Sequence, residues 1–188
     1  MFDEESIRDS FIYVGRLHSE KKPLLLIEAF EQLLAVRSGL RLVIVGAGPL
    51  SEQLKRKVET SPAADSVLIL GHVEDYSVLK TLYSSAIASI SPGYVGLSVT
   101  QSLSFGVPMI ISRAEPHAPE IEAVEDGSNC IYFRTDDVHD LSQKMKQMVD
   151  DRQAWRAKGA EISNACGSSY SVEAMVSGLV DALEDRSS

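Results

Sequence analysis

The chain has 188 residues, 44% hydrophobic and 24% charged, a composition that suits one domain with a core of its own. Its net charge of −9 is scattered along the sequence, which disfavours nucleic acid as a partner and requires any polyanionic ligand to be held by a local basic spot. No stretch reaches the roughly 18 consecutive apolar residues of a membrane span, and Met1 is followed by Phe2, Asp3, Glu4 and Glu5 rather than by an export signal, so a cytoplasmic protein without a transmembrane segment is expected.

Residues 1–10 are polar and acidic without periodicity, as a linker would be. Phe11–Val14 then opens a series of short apolar runs with strand character, continued by Leu40–Val45, Ser66–Leu70, Ala86–Ile90, Pro108–Ser112 and Asn129–Phe133. Between the first two, Pro23–Arg37 carries Leu26, Ile27, Phe30, Leu33 and Leu34 at the spacing of one buried helix face. Pro49–Val58, Tyr76–Ser84, Ser98–Phe105 and Pro119–Val124 read as further, shorter helices. From Asp137 to about Asp185 no strand-like run occurs, and two or three helices are expected, the last opening at Ser171 with Val172, Met175, Val176, Leu179, Val180 and Leu183 on its apolar face. The alternation predicts one α/β domain over residues 11–185: a doubly wound, Rossmann-like parallel sheet of about six strands, with helices on both faces and a helical C-terminal tail. Cys130 and Cys166 lie far apart with no CxxC spacing and no His-rich neighbourhood, so both are read as inert thiols rather than zinc ligands or a disulfide.

Ligands of such sheets bind outside the carboxyl ends of the strands, which directs attention to four turns. The first, Gly15 to Lys22, sets Arg16 and Lys21 near one strand end, a pairing suited to a diphosphate; an exposed loop with Glu20 as ion-pair partner explains the same residues. The second, Gly46-Ala47-Gly48-Pro49, places two glycines where backbone must pass close to a ligand or to a packed helix. The third contains His72, which has no visible proton-transfer partner and reads as a contact or surface residue. The fourth, Ser91-Pro92-Gly93-Tyr94-Val95-Gly96-Leu97-Ser98, leads into a helix whose free amides and flanking glycines could cradle an anion, or could form a plain strand-to-helix loop.

Together, several segments resemble the C-terminal domain of retaining glycosyltransferases of family 4, which have the two-domain GT-B architecture. They are Gly15-Arg16-Leu17 with Lys21 and Leu26-Ile27-Glu28-Ala29-Phe30, Val45 to Pro49, Leu70 to Val73, Gly96-Leu97-Ser98 through Ser104 to Pro108, Pro119-Glu120-Ile121, and Glu125 to Asn129. The resemblance implies a nucleotide-diphosphate sugar as substrate, with Arg16 and Lys21 on its diphosphate and the main chain of Gly93, Tyr94, Val95, Gly96, Leu97 and Ser98 around phosphate and sugar. Gly15, Gly46, Gly48, His72, Gln101 and Glu120 complete the implied donor site. No metal or other cofactor is implied. The architecture also implies a separate N-terminal acceptor-binding domain, for which residues 1–10 leave no room, and it is compatible with peripheral membrane association of a full-length protein.

The family's signature is a pair of glutamates with seven residues between them, and the matching positions here are Gly93 and Gln101, so both carboxylates are absent. Gln101 retains an amide oxygen for a ribose hydroxyl, a weaker acceptor than a carboxylate; Ser98-x-x-Gln101 is equally a capping-box pattern. Glu120 reads either as a donor-site carboxylate or as a charge at a helix start, and His117 as a phosphate or sugar contact with nothing to orient it. Two function classes stay open: the donor-binding domain of a transferase, inactive in isolation, and a nucleotide-binding or protein-interaction module that has lost the chemistry. A third, an epimerase or phosphorylase relative, finds no catalytic acid set or cofactor lysine motif.

Overall fold

The computed structural model describes residues 9–170 and Val176. Six strands, β1 (Ser10–Val14), β2 (Arg41–Val45), β3 (Val67–Gly71), β4 (Ala86–Ser91), β5 (Met109–Ser112) and β6 (Cys130–Phe133), form one sheet in the order β3-β2-β1-β4-β5-β6. Every pairing is parallel, for instance Phe11 beside Leu42 and Ile110 beside Ile131. Each strand begins and ends within one residue of the apolar run that predicted it, because the boundaries follow the burial of β-branched and aromatic side chains. Ser10 belongs to β1 rather than to a linker, its amide and hydroxyl both donating to the Ser85 carbonyl.

Alternation along the strands separates two faces. Phe11 and Tyr13, Leu42 and Ile44, and Ile131 and Phe133 join a core with α1 (Pro23–Leu34), α2 (Ser51–Glu59), α5 (Val138–Asp150) and α6 (Arg152–Ala157). Ile12, Val43 and Val45 on the other face meet Leu79 and Tyr83 of α3 (Tyr76–Ser84). Met109, Ile111 and Cys130 on that same face meet Val99 and Leu103 of α4 (Ser98–Ser104) and Ile162 of α7 (Gly159–Tyr170). The doubly wound sheet with helices on both faces is therefore the architecture of the molecule. On the edge strand β3, Leu68 and Leu70 are exposed, so its burial alternates as a half-covered strand does.

Helix ends differ from the sequence pattern where local chemistry intervenes. The amides of Val36 and Arg37 both turn back onto the Leu33 carbonyl, and Gly39 follows at a φ of 78°, so α1 stops at Leu34 rather than Arg37. In α2 the Ser51 hydroxyl accepts from the Gly48 amide and donates to the Gly48 carbonyl, which leaves Pro49 in the turn before the helix. The α3 boundaries agree with the prediction because Asp75 caps the amides of Ser77 and Val78. Pro119–Ala123 is a 3-10 turn instead of an α-helix. The tail supplies α5, α6 and α7; the helix expected from Ser171 onward lies outside the described residues apart from Val176.

Candidate functional site

The chain runs outward from β1 to β3, then crosses back and runs outward again from β4 to β6, so the segments leaving β1 and β4 diverge and open a crevice between them. A cleft of about 820 Å³ occupies that switch point. The segment after β1 lines it with Gly15, Arg16 and Lys21, and the segment after β4 with Tyr94, Gly96 and Leu97. Ser98 and Gln101 of α4 and Glu120 of the 3-10 turn complete the sequence-predicted residues that the fold brings to this wall.

The basic arm is built from both loops. Arg16 is three-quarters exposed and pairs loosely with Glu20 at 3.6 Å, an arrangement that contributes little to stability and leaves the guanidinium free to turn. Its backbone is fixed, because the Tyr13 hydroxyl donates to the Arg16 carbonyl at 2.8 Å, and burial holds that hydroxyl well above the usual tyrosine range. Lys21 donates to the Tyr94 carbonyl at 2.8 Å and lies 4.0 Å over the Tyr94 ring. Burial, and then the positive charge of Arg16, lower the Lys21 pKa below the ordinary lysine value. The Tyr94 amide donates to the Glu20 carbonyl at 3.0 Å. Across the cleft, the amides of Gly96, Leu97 and Ser98 have no acceptor among the described residues.

Five expected site residues stand elsewhere. A Cβ on Gly46, whose φ is 145°, would run into the Gly15 carbonyl, and one on Gly48 would lie 2.5 Å from the Leu17 carbonyl. These glycines let the loops after β1 and β2 lock together, as the bonds from Leu17 to Ala47 and from Leu50 to Leu17 show; close packing accounts for them. His72 is exposed beside Glu74, away from the cleft. Val95 is fully buried, with its amide donated to Nδ1 of His117. Gly93 sits behind the wall, where a Cβ would collide with the Glu20 carbonyl.

Two side chains behave differently from their sequence reading. The cap position of α4 is Leu97 and no side chain caps it, so the Ser98–Gln101 capping box does not form; Oε1 of Gln101 instead accepts from the Tyr83 hydroxyl at 3.4 Å. His117 is oriented at both nitrogens: Nδ1 accepts from the Val95 amide at 3.2 Å, and Nε2 therefore carries the proton it donates to the Ser112 carbonyl at 2.8 Å. It staples the β4–α4 loop to the end of β5 and has no nitrogen left for a ligand. Oε2 of Glu120 is buried without a partner among the described residues.

The cleft also has walls that sequence reasoning did not find. Tyr13 reaches it from inside a strand, and Cys166, Gly167 and Tyr170 reach it from α7, some 70 residues beyond the fourth turn. A polar-tipped tyrosine at the carboxyl end of an apolar strand was a usable signal for the first. Nothing in the α7 pattern marks the others, because they face the cleft only once α7 has packed on α4. No helix among the described residues is long and apolar enough to cross a membrane.

Residues 4–165 match the family model described as Glycosyl transferases group 1. The chain belongs to this family. Among curated relatives, this group 1 glycosyl transferase chain is 33% identical over 105 residues to a GDP-mannose-dependent alpha-(1-6)-phosphatidylinositol dimannoside mannosyltransferase of Mycobacterium tuberculosis, which aligns 54% of this chain with 26% of that protein. It is 27% identical over 145 residues to the sulfoquinovosyl transferase of Arabidopsis thaliana, covering 76% of this chain and 27% of that protein. The chain thus spans about a quarter of the length of these relatives. Among solved structures, S. aureus TarM in complex with UDP superposes with a TM-score of 0.80 at 17% identity, over 94% of this chain and 35% of that one. The pneumococcal O-GlcNAc transferase in complex with UDP and GlcNAc gives 0.75 at 19% identity, over 96% and 37%. The fold is that of a GT-B glycosyltransferase domain.

Proposed function

We propose that the chain is the donor-binding, C-terminal half of a retaining glycosyltransferase of family 4, which takes a nucleotide-diphosphate sugar and serves a glycan or lipid-linked acceptor in the cytoplasm. The observation that carries this reading is the convergence of Arg16 and Lys21 with the Gly96–Ser98 amides, which have no acceptor among the described residues, on one cleft at the switch point. Lys21 commits one of its three N–H groups to Tyr94, and Arg16 offers a planar fork, so both can reach a diphosphate. Fixed cations and amides of this kind stabilise negative charge as it develops on a leaving diphosphate. Gln101 and Glu120 are the neighbouring candidates for ribose and sugar hydroxyls. The lipid-linked substrate in the name of the mycobacterial relative supports that class of acceptor, and the small share of each relative that the chain spans supports a second, acceptor-binding domain with which transfer is completed.

A second reading, a nucleotide-binding or protein-interaction module without chemistry, is favoured by Gly93: the position of the first signature glutamate has no space for any side chain. Calorimetric titration with UDP, GDP and their sugars tests the site. Arg16→Ala should weaken nucleotide binding by about 1.5–3 kcal/mol, the range for charged hydrogen bonds, and unchanged affinity in a folded variant removes Arg16 from the site. Transfer activity that appears only when the acceptor domain is joined selects the enzyme. Sugar-nucleotide binding without transfer, even in the longer protein, selects the module.

A further inference from the structure

Lys22 follows the cleft lysine directly and adopts a left-handed backbone, φ 50° and ψ 44°, which glycine takes freely and lysine seldom does. Its side chain has a specific use. Nζ is 2.6 Å from Oε1 of Glu115 and 2.7 Å from Oδ1 of Asp136, itself left-handed at a φ of 61°. Glu115 is 9% exposed, and its Oε1 also accepts from the Ser112 hydroxyl, which in turn is bonded to Thr135. Three loops, those after β1, β5 and β6, therefore meet on one ammonium.

The bridge closes a ring. From Lys22 the chain passes back through Lys21 and Glu20 to Tyr94, by the Lys21 and Tyr94-amide bonds already described. Val95 connects to His117, and His117 to Ser112, beside Glu115. Removing the Lys22 bridge opens the ring at the point nearest Lys21: Arg16 and Leu17 stay tied to Tyr13 and to the loop after β2, while beyond their own turn Glu20 and Lys21 keep their bonds to the Tyr94 loop.

We infer that Lys22, bridged to Glu115 and Asp136, is a positioning residue that holds the Arg16–Lys21 arm at the spacing a nucleoside diphosphate requires. The inference rests on the donor-site reading above, and it adds a group that touches no ligand. Its mechanism is pre-organisation: an arm already held in the bound geometry loses less freedom when the diphosphate arrives.

Four variants test it: Lys22→Gly, which suits the left-handed backbone and deletes only the bridge, Lys22→Arg, Glu115→Gln, and the Lys22→Gly/Glu115→Gln double variant. UDP and GDP affinities are measured by calorimetry, and exchange of the Tyr94 amide by hydrogen–deuterium exchange. Lys22→Gly and Glu115→Gln should each weaken binding roughly tenfold, the double variant no further than the weaker single one, and Lys22→Arg should restore most of the affinity. The Tyr94 amide should exchange faster in both single variants without ligand. Wild-type affinity in folded Lys22→Gly, or additive losses in the double variant, overturns the inference. If the wild-type chain binds neither nucleotide, the donor-site reading fails, and unchanged Tyr94 exchange still refutes Lys22 as the tether of the arm.

Discussion

Placing a methyl group on Gly93 probes the joint on which the basic arm rests. The Cβ of Gly93→Ala would overlap the Glu20 carbonyl oxygen and stand 3.0 Å from the Lys21 carbonyl carbon, both backbone atoms, so no rotamer change relieves the contact. Moving the arm away lengthens the Tyr94-to-Glu20 bond of 3.0 Å. Overpacking costs about 1–3 kcal/mol and a lost backbone bond about 0.5–1.5 kcal/mol. The lower unfolded-state entropy of alanine returns about 0.4–1 kcal/mol. The central values of these ranges give a net loss of about 2 kcal/mol, which in a chain of this size lowers Tm by roughly 4–8 °C. Gly96→Ala is the control: its Cβ meets nothing nearer than Tyr94 Cε1 at 3.9 Å, and it should stay within about 0.5 kcal/mol of the parent. Urea unfolding followed by circular dichroism measures both. A Gly93→Ala midpoint indistinguishable from that of Gly96→Ala refutes the packing argument. The same collision predicts that Gly93→Glu, which places here the carboxylate that the resemblance to family 4 implies, weakens rather than strengthens nucleotide-sugar binding.

Replacing His117 with alanine leaves the Val95 amide and the Ser112 carbonyl without their partner, so His117→Ala should lose about 1–3 kcal/mol in urea unfolding, and a loss below about 0.5 kcal/mol would show that the staple is dispensable. Lys21 supplies a pH dependence. Its folded pKa lies below the ordinary 10.5, so between those two values the unfolded chain binds more protons and the stability contributed by this group rises with pH, while below the folded pKa the burial penalty is fully present. Diphosphate affinity runs the other way: it should fall as pH climbs through the lowered Lys21 pKa, before an ordinary lysine would discharge. In Lys21→Arg the fall should move to higher pH, because arginine keeps its charge. Coincident affinity–pH profiles for the two proteins would exclude Lys21 from the diphosphate contact.

Much of the architecture was legible because the signals that specify it are local. Apolar runs such as Leu42–Val45 and Ile110–Ser112 are strands wherever a sheet can bury both faces, and the spacing of Leu26, Ile27, Phe30 and Leu33 makes a helix before any partner is known. The turns after β1 and β4 could likewise be picked out as the places where Arg16, Lys21 and the Gly96–Ser98 amides cluster, since cations, glycines and helix starts declare themselves in a few residues. Helix ends were less legible where a single side chain or glycine overrides periodicity, as Ser51 does for α2 and Gly39 after α1.

Relations between segments that are distant in the chain were decided by tertiary structure alone. Residues 93 and 20 look independent until the Glu20 carbonyl fills the space a Gly93 side chain would need; residues 117 and 95 until a ring nitrogen meets a buried amide; Lys22 and Glu115 until three loops converge. Gly46 and Gly48 carried the look of a ligand turn, and only the packing of one loop on another assigned them to it. Sequence alone thus determined the βα alternation, the overall charge and the presence of glycine and glutamine at positions 93 and 101, because those are properties of short segments or of composition. The position of the cleft, its α7 wall and the reason position 93 holds no side chain came from folding, which brings atoms far apart along the chain within a few ångströms and lets excluded volume and unpaired hydrogen bonds choose among readings that the sequence left equal.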